Sequence, residues 1–106
     1  MNETNYVYIL RSGNSQNFKI GVSKNIIDRI KQLQTGSPYK ISLYHCFEAL
    51  TRKQAFECEK SLHKYFSKNK TKLMWGEWYR LTRKDLEILL QCDYVNEVKE
   101  ILGELV

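Results

Sequence analysis

Two short runs rich in β-branched and aromatic side chains lie within the first 23 residues, and they constrain the fold more than any other feature of the sequence. The runs are Asn5–Arg11, N-Y-V-Y-I-L-R, and Asn17–Ser23, N-F-K-I-G-V-S. The loop S-G-N-S-Q between them is polar and contains Gly13-Asn14, a pair that favours a two-residue turn. The sequence therefore predicts an antiparallel β-hairpin with its turn centred on Gly13-Asn14.

The predicted turn decides which side chains share a face of the hairpin. Side chains alternate between the two faces along a strand, so this register gathers the apolar side chains on one face. Their predicted pairs are Ile9 with Phe18 and Val7 with Ile20. On the other face, Tyr8 stands beside Lys19 and Tyr6 stands beside Gly21. That face therefore offers a phenol, an amine and bare backbone next to one another.

A helix is expected to follow the hairpin. Ser23 or Asn25 is a suitable N-cap, and Gly36 is a suitable C-terminal stop. Arg29 lies beside the buried stripe of this helix. The stripe consists of Ile26, Ile27, Ile30 and Leu33.

Further extended and helical segments complete the predicted architecture. The run 39–49 alternates apolar and polar side chains and is expected to be a third, central strand. The segment 76–81 is expected to be short and extended, with Trp78 packed on the core. Two short helices, near 83–91 and 94–102, finish the chain. The predicted fold class is thus α/β (α+β): a small three-stranded antiparallel sheet flanked by helices.

The helix predicted for Thr51–Phe66 carries an acidic residue where a simple amphipathic helix would not. At about 100° per residue, its apolar side chains gather on one side. Glu59 falls inside that apolar sector, and His63, one turn later, lies at its edge. A carboxylate turned toward a core is costly unless something binds it, so this pair indicates a cation site and metal-assisted chemistry. The apolar side chains are Ala55, Cys58, Leu62, Tyr65 and Phe66.

Charge and composition favour a polyanionic partner in a reducing compartment. The chain of 106 residues has a formal net charge of +5, which favours nucleic acid over a membrane surface, although a merely soluble basic protein is the alternative. No apolar run approaches the roughly 18 residues of a membrane span, and no signal peptide is visible. Cys46, Cys58 and Cys92 form no C-x-x-C pair, which favours reduced, buried thiols. We expect a cytoplasmic protein, in the host cytoplasm if the chain is viral.

Five short motifs occur in a fixed order between residues 6 and 81. They are Y-V-Y at 6–8, K-I-G at 19–21, an arginine at 29, E-K-S-L-H at 59–63 and G-E-W-Y at 76–79. In this order and spacing the motifs resemble those of the GIY-YIG nuclease superfamily. The likeness is closer to its phage- and large-virus-type branch, in which the second motif commonly reads K-I-G and the later blocks read E-K-x-L-H and G-E-W-F. The resemblance implies a nuclease domain over 1–82, with 83–106 as a helical extension packed on it.

Carried over position by position, the resemblance implies catalytic roles for five side chains and a close backbone approach at Gly21. Two positions depart from the superfamily pattern, since Tyr6 stands where the first motif has glycine and Lys19 stands where the second has tyrosine. The five side chains are Tyr8, Lys19, Arg29, Glu59 and His63.

The resemblance implies hydrolysis of DNA phosphodiester bonds with Mg²⁺ or Mn²⁺. A cation held by Glu59 would stabilise the charge that develops on the phosphate oxygens, and a lone carboxylate completed by water suits such hard ions. Arg29 would fork onto a non-bridging oxygen, and His63 would relay a proton. Tyr8 or Lys19 would activate water. Lysines after Glu59 would contact phosphates along the substrate; they are Lys64, Lys68, Lys70 and Lys72.

The sequence leaves functions of three classes open. The first is an endonuclease whose groove receives Tyr8, Lys19, Arg29 and Glu59 on one side of the sheet. The second is a catalytically inert nucleic-acid-binding module with the same fold, and the third is an adaptor protein of a mobile element. Single- or double-stranded DNA fits the first two classes, and a homodimer is one way to supply sequence preference.

Overall fold

Eight elements follow one another in the computed structural model, which describes residues 4–69 and 78–105. Its strands form one antiparallel sheet in the order β3-β1-β2-β4. The predicted α+β class is therefore confirmed, although the sheet has four strands rather than three. The elements are β1 (Asn5–Ser12), β2 (Asn17–Ser23), α1 (Ile26–Gln34), β3 (Ile41–Ala49), α2 (Arg52–Asn69), β4 (Trp78–Arg80), α3 (Arg83–Leu89) and α4 (Val95–Leu105).

The hairpin β1–β2 forms, but its register differs from the predicted one by two residues. Tyr8 pairs with Gly21 instead of Lys19, and Ile9 pairs with Ile20 instead of Phe18. The connection uses residues 13–16 instead of a two-residue turn, with Gly13 in the left-handed region at φ 56°. Because the shift is two residues and the side-chain period is also two, each side chain stays on its predicted face.

Helices cover both faces of the sheet. On the face with Val7 and Ile20, the strands pack against α2, α3 and α4 in one buried core. On the face with Tyr8, a smaller cluster packs against three side chains of α1. Ile27 is 68 % exposed, so the buried stripe predicted for α1 is narrower than expected. The packed side chains are Ile26, Ile30 and Leu33, at the spacing i, i+4 and i+7 of a single helix face.

Strand β3 lies at the edge of the sheet, not at its centre as predicted. Its pairing with β1 shifts between His45 and Leu43, which leaves Tyr44 as an extra residue in a bulge. The bulge reverses the alternation along the strand. As a result, Ile41 joins the α1 cluster whereas Phe47 joins the larger core, and the single alternation predicted for 39–49 is wrong.

The apolar face predicted for the second helix is confirmed. The Thr51 hydroxyl accepts a hydrogen bond from the Gln54 N–H at 3.1 Å, as expected for an N-cap, and α2 then continues to Asn69. Burying one large apolar side chain stabilises the folded state by about 1.5–3 kcal/mol. The side chains with 1 % exposure or less are Ala55, Cys58, Leu62 and Phe66.

The C-terminal helices pack on the same core as the sheet. Thr82 and Asp85 form a reciprocal capping box at the start of α3, and Asp85 is buried. Within the described ranges, no helix is both long and apolar enough to cross a bilayer. The core side chains supplied by this region include Leu86, Leu89, Cys92, Val95, Val98 and Leu102.

The buried cysteines generate a prediction about thiol reactivity. Burial raises the pKa of the Cys58 thiol from about 9 to about 12, and it also raises the pKa of Cys46 and Cys92. Because the thiolate is the reactive form, we expect Cys58 to react with a disulfide reagent at pH 8 only after unfolding. Because its pKa is raised, the folded protein favours the neutral thiol of Cys58. This preference stabilises the fold fully below pH 9, and the stabilisation is lost as the pH rises toward 12. Rapid labelling of Cys58 in the native protein would contradict this burial.

Candidate active site

Tyr8 fills the space that a side chain at residue 21 would need. Tyr8 is only 2 % exposed, and it faces Gly21 across the β1–β2 pair. A Cβ placed on Gly21 would overlap the hydroxyl oxygen and Cζ of Tyr8 and would lie 2.9 Å from its Cε1. A phenol therefore lies directly over the strand at Gly21, and the predicted approach of this backbone to nucleic acid stays a prediction.

Arg29 extends from α1 to the same place. Its Nε–H donates to the Tyr8 hydroxyl at 3.3 Å, and its Nη1 donates to the side chain of Gln32 at 3.1 Å. The predicted N-cap Asn25 is confirmed, since its side-chain oxygen accepts from the Asp28 N–H and so fixes where α1 begins. A guanidinium carries five N–H groups, which is more than these two hydrogen bonds use.

Lys19 lies on the Tyr8 face of the sheet but is not the direct cross-strand partner of Tyr8. Lys19 pairs with Leu10, one pleat along the hairpin from the Tyr8–Gly21 pair. Its Nζ lies 5.8 Å from the centre of the Trp78 ring, a distance typical of a cation–π contact. The two-residue shift in register therefore places Lys19 diagonally from Tyr8, beside β4.

Glu59 and His63 approach from the opposite face, because α2 packs on the side of Ile20 and not on the side of Tyr8. A carboxylate oxygen of Glu59 lies 3.9 Å from Nε2 of His63, and the Glu59 side chain is 21 % exposed. The same Nε2 lies 3.2 Å from the carbonyl oxygen of Ile20. Tyr8 and helix α2 therefore lie on opposite sides of the sheet, and the prediction that one groove receives both Tyr8 and Glu59 stays a prediction.

The contacts of His63 determine which nitrogen carries the proton in the neutral ring. A carbonyl oxygen can only accept, so Nε2–H donates to Ile20. The other nitrogen, Nδ1, lies 2.6 Å from the hydroxyl of Tyr79, which then donates to it. Tyr79 is only 1 % exposed, and sequence reasoning missed its contact with His63. The signal lay in the G-E-W-Y motif.

The two halves of the site meet at one step of the β2 backbone. The Tyr8 hydroxyl, which accepts a hydrogen bond from Arg29, lies over Gly21, and the His63 ring, which lies 3.9 Å from a Glu59 carboxylate oxygen, contacts the adjacent residue Ile20. Strand β4 pairs with β2 through residues 17–19. Within residues 4–69 and 78–105, the pairing of β4 with β2 extends to Lys19, next to this step.

The Glu59 carboxylate can be compared with what a metal ion requires of its ligands. Among the described residues, no three His, Cys, Asp or Glu side chains lie close enough to form a metal cage. Mg²⁺ does not need such a cage, because it keeps several waters and often binds one or two carboxylates together with substrate phosphate. Glu59, whose side chain is partly exposed, fits that mode of binding.

The predicted phosphate-binding lysines are only partly within the described chain. Lys64 lies on α2, next to His63, with its side chain exposed. Lys68 lies near the end of α2. Lys70 and Lys72 lie outside the described residues, as do Gly76 and Glu77 of the G-E-W-Y motif. Their predicted contacts with phosphate stay predictions.

The chain belongs to the T5orf172 domain family, whose model matches residues 5–105. This family is a phage-associated, nuclease-like domain. The match includes the residues of both halves of the site and the C-terminal helices. No curated protein and no solved structure matches the chain.

The Tyr8–Gly21 contact generates a stability prediction with a control in the same chain. We expect Gly21→Ala to lower the free energy of unfolding by about 1–3 kcal/mol, because the new methyl group displaces a buried phenol. Gly36→Ala is the control, since a Cβ there meets no atom within 4 Å. It should be neutral or stabilise by about 0.4–1 kcal/mol. Denaturant unfolding measures both, and equal stability of the two variants would contradict the packing of Tyr8 over Gly21.

Proposed function

We propose that this protein is a divalent-metal-dependent endonuclease of the GIY-YIG superfamily that hydrolyses phosphodiester bonds in DNA. The observation that carries the proposal is the approach of two polar pairs to one backbone step. Tyr8, which accepts a hydrogen bond from Arg29, lies over Gly21, and His63, which lies beside Glu59, contacts the carbonyl of Ile20. The nuclease-like family and the net charge of +5 support it.

The reaction places three demands on such a site. A bond forms between a water oxygen and phosphorus, and the bond from phosphorus to the leaving oxygen breaks. The proton of the water must pass to a base, and the leaving oxygen must gain a proton. Negative charge grows on the non-bridging oxygens meanwhile, so donors that are already in position lower the barrier most.

The side chains divide these tasks. Arg29, held by Tyr8 and Gln32, directs its remaining N–H groups toward a non-bridging oxygen. Tyr8 or Lys19 takes the proton of the attacking water. His63, fixed by Tyr79 and Ile20, holds a proton at Nε2 beside the Glu59 carboxylate and relays it.

Glu59 is the residue that would hold Mg²⁺ or Mn²⁺. When bound, the cation would supply Lewis-acid stabilisation of the charge on the phosphate oxygens. The Glu59 side chain is positioned by its place on α2 and lies near the imidazole of His63.

The first test of the proposal is cleavage of single-stranded, double-stranded and branched DNA with Mg²⁺ and with a chelator. Salt-sensitive binding without cleavage would instead favour the inert binding module. Absence of both would favour the adaptor protein.

Glu59 provides a variant that separates catalysis from folding. We expect Glu59→Gln and Glu59→Ala to abolish cleavage with little change in melting temperature, because a partly exposed carboxylate is removed from outside the core. Glu57→Gln is the matched control. It lies on the same helix and its carboxylate pairs with Lys99 at 3.5 Å. Full cleavage by Glu59→Gln would refute the metal role.

Arg29 provides a variant that separates rate from binding. We expect Arg29→Lys to lower the single-turnover rate by about a hundredfold or more, the scale of one preorganised donor, because lysine cannot fork onto an oxygen pair. Arg83→Lys is the control at an exposed position paired with Glu87. If Arg29→Lys weakens DNA binding but cuts at the normal rate at saturation, Arg29 positions the substrate instead of stabilising charge.

A further inference from the structure

A cleft of about 450 Å³ lies beside Arg29, between the N-terminal ends of α1 and α2. The C-terminal end of β2 forms its floor, through Val22 and Ser23. Its volume falls within the range of sites that hold small organic molecules, so it can accept one nucleotide. The proposed catalytic arginine therefore has one side on this cleft and the other on Tyr8.

Phe56 gives the cleft an aromatic wall. It is a large apolar side chain that is 44 % exposed, although α2 has a fully buried face a few residues away. The guanidinium carbon of Arg52 lies 5.2 Å from the centre of the Phe56 ring. This arrangement places a cation over the ring, and both groups line the same cleft.

Charge in the cleft suits an anionic chain. Lys24, Arg29 and Arg52 supply three cationic groups, against one acidic group, Asp28. The Asp28 carboxylate accepts a hydrogen bond from the Asn25 side-chain amide at 2.8 Å, so it is engaged in the cap of α1. The walls of the cleft therefore combine positive charge with an exposed aromatic ring.

The stripe that carries these groups leads directly to the proposed metal site. Arg52, Phe56, Glu59 and His63 follow one another at helical spacing along one side of α2. A strand that places a phosphate at Glu59 and Arg29 would therefore bring a neighbouring nucleotide to Phe56.

We propose that this cleft binds an unpaired nucleotide next to the scissile phosphate, with its base stacked on Phe56 and its phosphate at Arg52. This inference rests on the proposed nuclease function and adds the substrate class. An aromatic ring can stack only on a base whose face is exposed, and bases within a duplex already stack on one another. The substrate is therefore single-stranded DNA or an unpaired segment within branched DNA.

The test compares two labelled strands of equal length and equal phosphate number, one of oligo-dT and one of abasic sugar-phosphate units. Binding is measured by fluorescence anisotropy without divalent cations, so that no cleavage occurs. The intact protein should bind oligo-dT about tenfold more tightly than the abasic strand, the scale of one base–aromatic stack. Phe56→Leu should bring the two affinities close together, and Phe56→Trp should preserve the difference.

Tyr39→Leu is the matched control, because Tyr39 is 65 % exposed and lines a different depression near the hairpin turn. It should keep the preference for oligo-dT. Equal binding of both strands by the intact protein, or an unchanged preference in Phe56→Leu, would overturn the nucleotide site. Cleavage of the same oligo-dT with Mg²⁺ is measured separately. If the protein cleaves DNA but its preference for oligo-dT does not depend on Phe56, the nucleotide site is refuted and the nuclease function is not.

Discussion

The packing of the Tyr8 phenol over Gly21 is the contact on which the rest of the site depends. It requires Tyr8 to face residue 21 and no other, which fits the hairpin register that the structure adopts. It also brings a hydroxyl to the level of α1, where it accepts a hydrogen bond from Arg29. The absence of a side chain at Gly21 thus links strand pairing, the placement of α1 and the orientation of the Arg29 guanidinium.

Helix α2 joins the core to the proposed chemistry. One face, with Cys58 and Leu62, is fully buried and fixes how the helix lies on the sheet. The neighbouring stripe, with Phe56, Glu59 and His63, extends from the cleft beside Val22 to the carbonyl of Ile20 on β2. Because both stripes belong to one rigid helix, packing of the first determines the position of the second to within a fraction of a turn.

The sequence was sufficient for the elements whose signal is local. Alternation along the hairpin assigned each side chain to the correct face, and helical periodicity located the buried face of α2. Glu59, which was expected inside that face, is instead 21 % exposed. The cap at Asn25 follows from the same local chemistry. These features depend on neighbours a few residues apart, which a single sequence contains.

The errors came from longer-range geometry. A longer connection replaces the predicted two-residue turn. In this connection the Ser15 N–H donates to the Ser12 carbonyl, and the Arg11 side chain donates to the Ser15 carbonyl. The bulge at Tyr44 has no strong sequence signal, and neither does the edge position of β3. That α2 covers the face opposite Tyr8 depends on how the sheet is packed, so the approach of Glu59 from that face could not be read from residue spacing.

Glu59 and His63 are held in position in different ways. Burying a carboxylate fully in the interior has a large desolvation cost, whereas the Glu59 side chain is 21 % exposed and keeps part of its hydration. Its neighbour His63 is instead held from the interior, by the buried Tyr79 on β4 and by the carbonyl of Ile20 on β2. Strand β4 therefore does more than widen the sheet. Its pairing with residues 17–19 sets where Tyr79 lies, and Tyr79 in turn orients the imidazole beside Glu59. Tyr79 of the G-E-W-Y motif and His63 of the E-K-S-L-H motif, though separated in sequence, thus form one contact beside the carboxylate of Glu59.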